Sequence, residues 1–237
     1  MHFALEKRRK IMEKHSKIAS LFREFILGGQ DGLVNVLGII LGLAVATHDV
    51  KIVIIAGLAA TFAESISMGA VAFTSTRAVQ DYYRSEEARE RYEMKHFPKV
   101  EREEIYDLYR KRGFKGSLLN AIVRNITSSK ERWLDVMMKE ELGLTKEFVS
   151  PLKAAFIVMT AAFIGSFIPL TPFFFMTINN AIILSLAVSA VALFITGAIE
   201  AKMTVGNVFF KGIQLMIIGM LAALAGFIIG KIFGFSG

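Results

Sequence analysis

Apolar and polar residues alternate in long blocks along this chain. Five blocks are apolar over nearly their whole length, near residues 25–47, 52–76, 152–170, 178–198 and 206–233. A helix rises about 1.5 Å per residue, so each block is long enough to cross a hydrocarbon layer roughly 30 Å thick. The pattern therefore predicts five transmembrane helices.

The third and fourth blocks belong to one uncharged stretch of chain. No Asp, Glu, Lys or Arg occurs between Lys153 and Glu200, a distance too long for a single span. Pro169, Pro172 and the pair at 179–180 interrupt its middle. The stretch is predicted to form a helical hairpin of two spans.

A polar block separates the second and third spans. Residues 77–150 hold 16 of the 28 basic and 14 of the 21 acidic residues. Helical patterns cover about 77–95, 99–112 and 116–142, with breaks at Phe97-Pro98, Gly113 and Gly143. The block is too long for a loop and too polar for a membrane, which predicts a small helical domain.

The segment 1–24 precedes the first span. Apolar residues recur at helical spacing over 4–22, and basic and acidic residues fill the other face. This pattern favours an amphipathic helix lying on anionic headgroups, with a solvated helix packed on the cytoplasmic domain as the alternative. We expect no removable signal peptide, because charges continue through the segment and no apolar core with a cleavage site follows.

The charge of the chain mainly reports topology. The net charge is +7, yet 54% of the residues are hydrophobic and the mean hydropathy is +0.49, which excludes a plain soluble domain or a disordered chain. With five spans, 26 of the 28 basic residues fall on one side, which predicts a cytoplasmic N-terminus and a C-terminus on the opposite side. We therefore expect membrane lipid, and no nucleic acid, as a partner.

These patterns define the fold class. The chain is predicted to be an all-α integral membrane protein with five transmembrane helices and a cytoplasmic helical domain inserted between spans 2 and 3. Its parts are 1–24, the N-terminal amphipathic helix; 25–76, spans 1 and 2; 77–150, the inserted domain; and 151–237, spans 3 to 5.

Several kinds of chemistry are excluded. The chain has no cysteine, so disulfides, thiolate metal sites and cysteine nucleophiles are ruled out. No Walker or GxGxxG fingerprint occurs, which argues against ATP-driven transport by this chain. No span contains a histidine or a protease-like pair of Asp residues, so we do not expect an enzyme.

Ionisable residues within a span usually face a cavity, a partner or a pathway. Asp31 lies in a glycine-rich stretch near the cytoplasmic end of span 1, with Asn35 one turn beyond, and Glu64 lies midway along span 2 with Met68 one turn on. Carboxylates with a thioether suit a divalent transition metal such as Fe²⁺. The alternatives are a helix N-cap for Asp31, a protonated carboxyl bonded to a neighbouring helix for Glu64, and packing for Met68.

A second candidate site lies in the inserted domain. Two Glu-x-x-Glu pairs and a later Met-Met-x-x-Glu could meet in a helical bundle as a cluster for divalent ions. Spacing alone favours a solvated face, because Arg and Lys residues such as Arg89 and Arg91 are interleaved with the acids. The residues of this candidate site are Glu90, Glu93, Glu101, Glu104, Met137, Met138 and Glu141.

Two segments carry a resemblance to a known family. The stretch Phe-Ile-Leu-Gly-Gly-Gln-Asp-Gly-Leu-Val at 25–34 and the Ser-Ile-Ser-Met at 65–68 resemble the vacuolar iron transporter family. The Glu-rich insertion and three further spans follow in the expected order, so the resemblance covers nearly the whole chain.

The resemblance implies a homodimer that exchanges cytosolic Fe²⁺ for protons along a pathway between the subunits. It also implies that the seven Glu and Met residues of the insertion bind metal, and that Asp31 and Met68 line the pathway. The family's acid two turns before the Met is replaced by Ala60. Glu64 is a substitute for that acid by position only.

The expected function is a secondary transporter that exports Fe²⁺, with Mn²⁺, Co²⁺ and Zn²⁺ as other candidate substrates and protons as counter-ion. The alternative is a membrane-anchored metal buffer or sensor without transport. No permanently bound cofactor is expected. The predicted location is the plasma membrane for a prokaryotic chain or the vacuolar membrane for a eukaryotic one.

Overall fold

The structure is a computed structural model that describes residues 2–146, 149–204 and 206–234, with side chains from residue 21 onward. The described residues form helices and their connections, without a strand. The prediction of an all-helical fold is confirmed. The α-helices are α1 (His2–Thr47), α2 (Val50–His96), α3 (Pro98–Lys111), α4 (Gly116–Thr127), α5 (Lys130–Val136), α6 (Pro151–Leu170), α7 (Ile178–Met203) and α8 (Val208–Phe233).

Five helical segments of the described residues are long and apolar enough to cross a membrane, which confirms the predicted number. They are Leu21–Thr47, Val50–His96, Pro151–Phe174, Ile178–Met203 and Val208–Phe233. The third consists of α6 and a short 3₁₀ turn at Thr171–Phe174. The described residues up to Thr74 and from Val149 onward form one compact unit, here called the membrane unit, and those between them form a second, the inserted unit.

Glycine allows α1 to touch its neighbours backbone to backbone in the membrane unit. A Cβ added at Gly165 of α6 would lie 2.0 Å from the carbonyl oxygen of Gly29. A Cβ added at Gly226 of α8 would lie 2.1 Å from that of Gly38. Only glycine fits at such distances, so the small residues of the sequence pack α1 against α6 and α8 within one chain.

A tight connection joins α1 to α2. His48 has a φ of +52°, a left-handed conformation that side chains rarely adopt. Asp49 follows, and its Oδ1 accepts from the backbone N–H of Lys51 at 2.8 Å. The acidic side chain thereby satisfies a free donor at the start of α2, which explains why the second helix begins here.

The inserted unit follows the predicted breaks and adds one further break and a π-helical turn. Phe97-Pro98 separates α2 from α3, and Gly113 and Gly143 adopt φ of +95° and +66°. The predicted helix 116–142 is divided, because Ser129 caps α5 by accepting from the N–H of Arg132. Its end widens into a π-helical turn at Met137–Glu141.

The N-terminal segment runs without interruption from His2 into the first span as part of α1. The predicted amphipathic face of 4–22 lies almost wholly outside the described side chains. Its contact with headgroups therefore stays a prediction.

Candidate functional site

The turn between α2 and α3 assembles four of the predicted carboxylates in the inserted unit. Glu90 and Glu93 lie on the last two turns of α2, and Glu101 and Glu104 lie on the first two turns of α3. The backbone N–H of Phe97 donates to the carbonyl of Glu93 at 2.7 Å and closes α2. Proline then starts α3, where its missing N–H costs nothing.

Three of these side chains form a compact group. One carboxylate oxygen from each of Glu90, Glu93 and Glu101 lies within 4.8 Å of the other two. Glu90 is only 3% exposed and Glu101 only 4%. Among the described residues the Oε2 atoms of both have no hydrogen-bond partner. Burial of carboxylate oxygens without a partner is costly, and either a bound cation or a proton would relieve that cost.

Burial and mutual repulsion raise the pKa values of the cluster. The pKa of Glu101 rises to about 7, first through loss of hydration and then through the charges of Glu104 and Glu90. Loss of hydration likewise raises the pKa of Glu90, and the charge of Glu93 adds to it. The group therefore holds protons near neutral pH, and a divalent ion competes with those protons.

Glu104 and Glu141 complete an interacting set of five carboxylates. Loss of hydration and the charge of Glu93 raise the pKa of Glu104. The pKa of Glu141 rises to about 7, first through loss of hydration and then through the charges of Glu104 and Glu90. Both residues keep an exposed surface, so they form the accessible edge of the cluster. We call these five residues the carboxylate cluster.

The two predicted thioether ligands lie in the apolar core. Met137 and Met138 are each 1% exposed. Met137 belongs to a cluster that includes Ile105 and Trp133. Met138 packs in another, with Tyr83 and Leu134. Their described contacts are apolar, so metal coordination by their sulfur atoms stays a prediction.

The π-helical turn that carries these methionines is braced from the C-terminal end of α3 and the residue that caps it. Its wider hydrogen bond runs from the N–H of Leu142 to the carbonyl of Met137 at 3.1 Å. Tyr109 donates its hydroxyl hydrogen to Glu140 at 3.2 Å, and Arg112 forms an ion pair with the same carboxylate. The brace fixes the residue beside Glu141. Single-turn π-helices often occur at functional sites.

One cation lies against the carboxylate cluster. The Arg89 guanidinium is 3.5 Å from Glu90 and 3.6 Å from Glu93, each measured between nitrogen and oxygen. Its shortest ion pair is with Glu86, at 3.0 Å. Arg91 instead pairs with Glu87 at 2.8 Å. The interleaved arginines therefore have different environments.

In the membrane unit, a hydrogen bond joins spans 1 and 2 at the predicted acids. The side-chain amide of Asn35 donates to Glu64 Oε1 at 3.0 Å. Asp31 also lies within hydrogen-bonding reach of the Glu64 carboxyl. Asp31 lies inside α1, far from its start, which excludes the N-cap alternative. We call Asp31 and Glu64 the acidic pair, and Asn35 is the amide that lies beside it.

Two carboxyl groups at such close range repel each other strongly when both are ionised. A shared proton or a cation between them removes that repulsion. Met68, the predicted neighbour, packs against an apolar cluster of Ala72, Ala154 and Val158. The carboxyl groups of Asp31 and Glu64 thus lie near each other. The described contacts of Met68 are instead with residues of α2 and α6.

Sequence reasoning missed the closest partner of Arg89 and the brace on the π-helical turn. Glu86 lies one turn before Glu90, so its i, i+4 spacing could have placed it on the cluster face. The brace joins residues about thirty positions apart, and no local pattern indicates such a contact.

Comparison with known proteins extends over the whole site. A model of the VIT family matches residues 22–231. Vacuolar iron transporter 1 of Tulipa gesneriana is 34% identical over 221 residues, covering 92% of this chain and 90% of the relative. The protein of the same name from Oryza sativa subsp. japonica is 32% identical over 92% of this chain and 88% of its own length. The Arabidopsis thaliana protein of that name is 30% identical over 93% and 89%.

The matched stretch contains all ten predicted site residues, and the resemblance found in the sequence is confirmed. With a family model that covers nearly the whole chain and full-length relatives above 30% identity, this chain belongs to the VIT family.

Proposed function

We propose that this chain is a secondary transporter that moves Fe²⁺ out of the cytosol in exchange for protons. The observation that carries the proposal is the meeting of Asp31, Asn35 and Glu64 between two apolar helices. Uncompensated carboxylates are expensive in hydrocarbon and usually mark an ion or proton route. The names of the full-length relatives supply the choice of iron.

The carboxylate cluster has the role of capture in this proposal. Its five acids lie in a unit with a polar surface, and Glu104 and Glu141 are open to incoming ions. We place this unit in the cytoplasm, because the basic residues of the chain concentrate there and at the N-terminus. Mn²⁺, Co²⁺ and Zn²⁺ also accept carboxylate ligands and are further candidate substrates.

The acidic pair has the role of passage. A dication that enters between Asp31 and Glu64 displaces the proton that relieves their repulsion, and a returning proton releases the ion. This competition supplies the chemical basis for exchange. Met68 would follow as a softer ligand, and a second copy of the chain would complete the pathway as a homodimer in the plasma or vacuolar membrane.

Transport in liposomes tests the proposal. The full chain, reconstituted with an acidic interior and given Fe²⁺ outside without oxygen, should accumulate iron, and an ionophore that dissipates the proton gradient should abolish the uptake. Uptake that ignores the gradient, or full activity after Asp31→Ala, would contradict the mechanism.

The alternative function is a metal buffer or sensor, which is favoured by the position of the carboxylate cluster in its own compact unit. The same assay separates this alternative from a transporter. Glu64→Gln and Met68→Ala should abolish uptake by a transporter while the full chain still binds Fe²⁺. A buffer would bind iron equally in all three proteins and would carry it in none.

A further inference from the structure

Arg89 is the one basic residue whose described ion pairs involve the carboxylate cluster. We propose that its guanidinium is a built-in counter-cation, which shares Glu90 and Glu93 with the incoming divalent ion and so limits how tightly the cluster holds that ion. The inference rests on the proposed function of the cluster as the capture site, and it assigns a role to a residue outside the predicted ligands.

The geometry places the guanidinium where a bound metal would need free carboxylate oxygens. Nε of Arg89 is 3.6 Å from Glu93, and Nη2 is 3.5 Å from Glu90. Both acids belong to the compact group whose oxygens lie within 4.8 Å of one another. A guanidinium cannot lose its charge at physiological pH. It therefore repels a dication at this site whatever the pH.

Its influence extends to the open edge of the cluster. The charge of Arg89 opposes the rise in pKa of Glu104 and of Glu141. Four of the five acids thus interact with this one arginine. Removal of its charge would leave all four with a stronger attraction for a divalent ion.

The Arg89 side chain can move away from Glu90 and Glu93 without unfolding the unit. Its side chain is 51% exposed, and it lies on the surface of α2. Its shortest ion pair, at 3.0 Å, is with Glu86, which lies outside the group of three. When a metal takes Glu90 and Glu93, the arginine keeps this partner one turn back, and when the metal departs the guanidinium returns. The charge of the emptied site is then partly balanced, so release costs less.

Arg91 offers a matched control. It lies on the same helix, its side chain is 57% exposed against 51% for Arg89, and its described ion pair is with Glu87, at 2.8 Å. Arg89→Ala and Arg91→Ala remove the same charge from the same helix. Only the first removes it from the cluster.

The test is a titration of the purified full chain with Mn²⁺, and with Fe²⁺ in the absence of oxygen. Arg89→Ala should tighten binding about fivefold, the combined effect of two partly exposed ion pairs, and Arg91→Ala should leave it within error. Disruption of the assembled cluster would weaken binding, so a gain in affinity separates this role from a structural one. Unchanged or weaker binding by Arg89→Ala would overturn the inference.

Glu86→Gln tests the second position of the arginine. The loss of this partner should shift Arg89 toward Glu90 and Glu93 and weaken metal binding about twofold to threefold, and the effect should vanish when Arg89 is also alanine. If the weakening persisted in the double variant, Glu86 would act through its own charge. The proposed movement of Arg89 between Glu86 and the cluster would then be wrong.

The capture role and the Arg89 role fail in different ways. Equal metal binding by the unaltered chain and by Glu101→Gln would overturn the capture site itself and both proposals with it. Loss of binding in Glu101→Gln together with no gain in Arg89→Ala would overturn only the role of the arginine.

Discussion

The carboxylate cluster of the inserted unit and the acidic pair of the membrane unit treat negative charge in different ways. The cluster holds five acids from α2, α3 and the π-helical turn, and an arginine balances them only in part. The membrane unit brings together two acids and one amide, each from a separate position of α1 or α2. The cluster has more negative charge than its one arginine can balance. The acidic pair has two carboxylates, the number that balances one dication.

In the proposed transporter, this difference suits two tasks, capture at the cluster and passage at the acidic pair. Excess charge at an exposed edge attracts cations at low concentration. A minimal site in a low-dielectric setting releases its ion readily when a proton arrives, because little else holds the ion there. Removal of a cluster acid should therefore change the concentration dependence of transport, and removal of a membrane acid should change transport at every concentration.

The largest effect is expected for Asp31→Ala. Iron uptake should fall at least about 100-fold, the equivalent of roughly 2.7 kcal/mol on the barrier, because the pair loses one of its two charges. Proteoliposome uptake at saturating Fe²⁺ measures it, with Glu200→Gln as a control for loss of an acid from the membrane unit. Equal loss in the control would show that the effect of Asp31→Ala is not specific to the acidic pair.

Glu101→Gln should weaken metal binding by the full chain about 100-fold, since it removes a buried ligand whose oxygens have few other partners. Uptake should then drop at low Fe²⁺ and recover at high Fe²⁺. Glu103→Gln, exposed on the same helix, is the control. If uptake stayed low at saturation, the cluster would belong to the passage itself.

Acid should weaken metal binding by the carboxylate cluster at a pH that leaves the helices folded. With pKa values of about 7 for Glu101 and Glu141, metal affinity should fall about tenfold between roughly pH 7.5 and pH 6, because protons compete for the same oxygens. Metal titrations across this range measure the slope. An affinity independent of pH would show that neither acid is a ligand.

The same pKa values set the sign of a stability effect. Both acids have folded-state pKa values above the unfolded value of 4.5, so their contribution to stability is complete below pH 4.5 and is lost as the pH rises through 7. Without metal, the inserted unit should melt at a lower temperature at pH 8 than at pH 6. Added Mn²⁺ should reverse the loss at pH 8, and a Glu101→Gln chain should respond less to both changes.

A smaller effect is expected for Arg112→Ala, which removes the brace on Glu140. Metal affinity should fall about fivefold, less than the 10- to 100-fold typical of a group bonded directly to a ligand, because Glu140 only neighbours Glu141. Arg110→Ala is the control, since Arg110 pairs with Asp107 at 2.8 Å on the same helix. Equal effects would exclude a role for the brace.

The outline of the fold could be predicted from the sequence because it depends on block composition. Five apolar stretches and one polar block fix the number of spans and the place of the insertion, and Pro98, Gly113 and Gly143 mark local breaks. The turn at Pro98 also explains why the four acids of α2 and α3 could be grouped in advance. These features need only local chemistry.

Other features depend on contacts between distant residues. The π-helical turn at Met137–Glu141 and its brace from Tyr109 and Arg112 have no local signature, so 116–142 was predicted as one helix. The bond between Asn35 and Glu64 depends on how α1 and α2 align, which residue spacing within each helix does not determine. Charge patterns likewise did not distinguish Arg89 from Arg91.

The glycine contacts of α1 also decide which part of the membrane unit can move. At Gly29 and Gly38 the main chain of α1 touches that of α6 and α8, so even a small slide along the helix axis would drive a side chain into a carbonyl. At Gly57, α2 faces the more yielding side chains of Leu170 and Ile40. We expect α1, α6 and α8 to keep their positions relative to one another. We expect α2, which carries Glu64, to shift against them and so to open and close the proposed ion pathway.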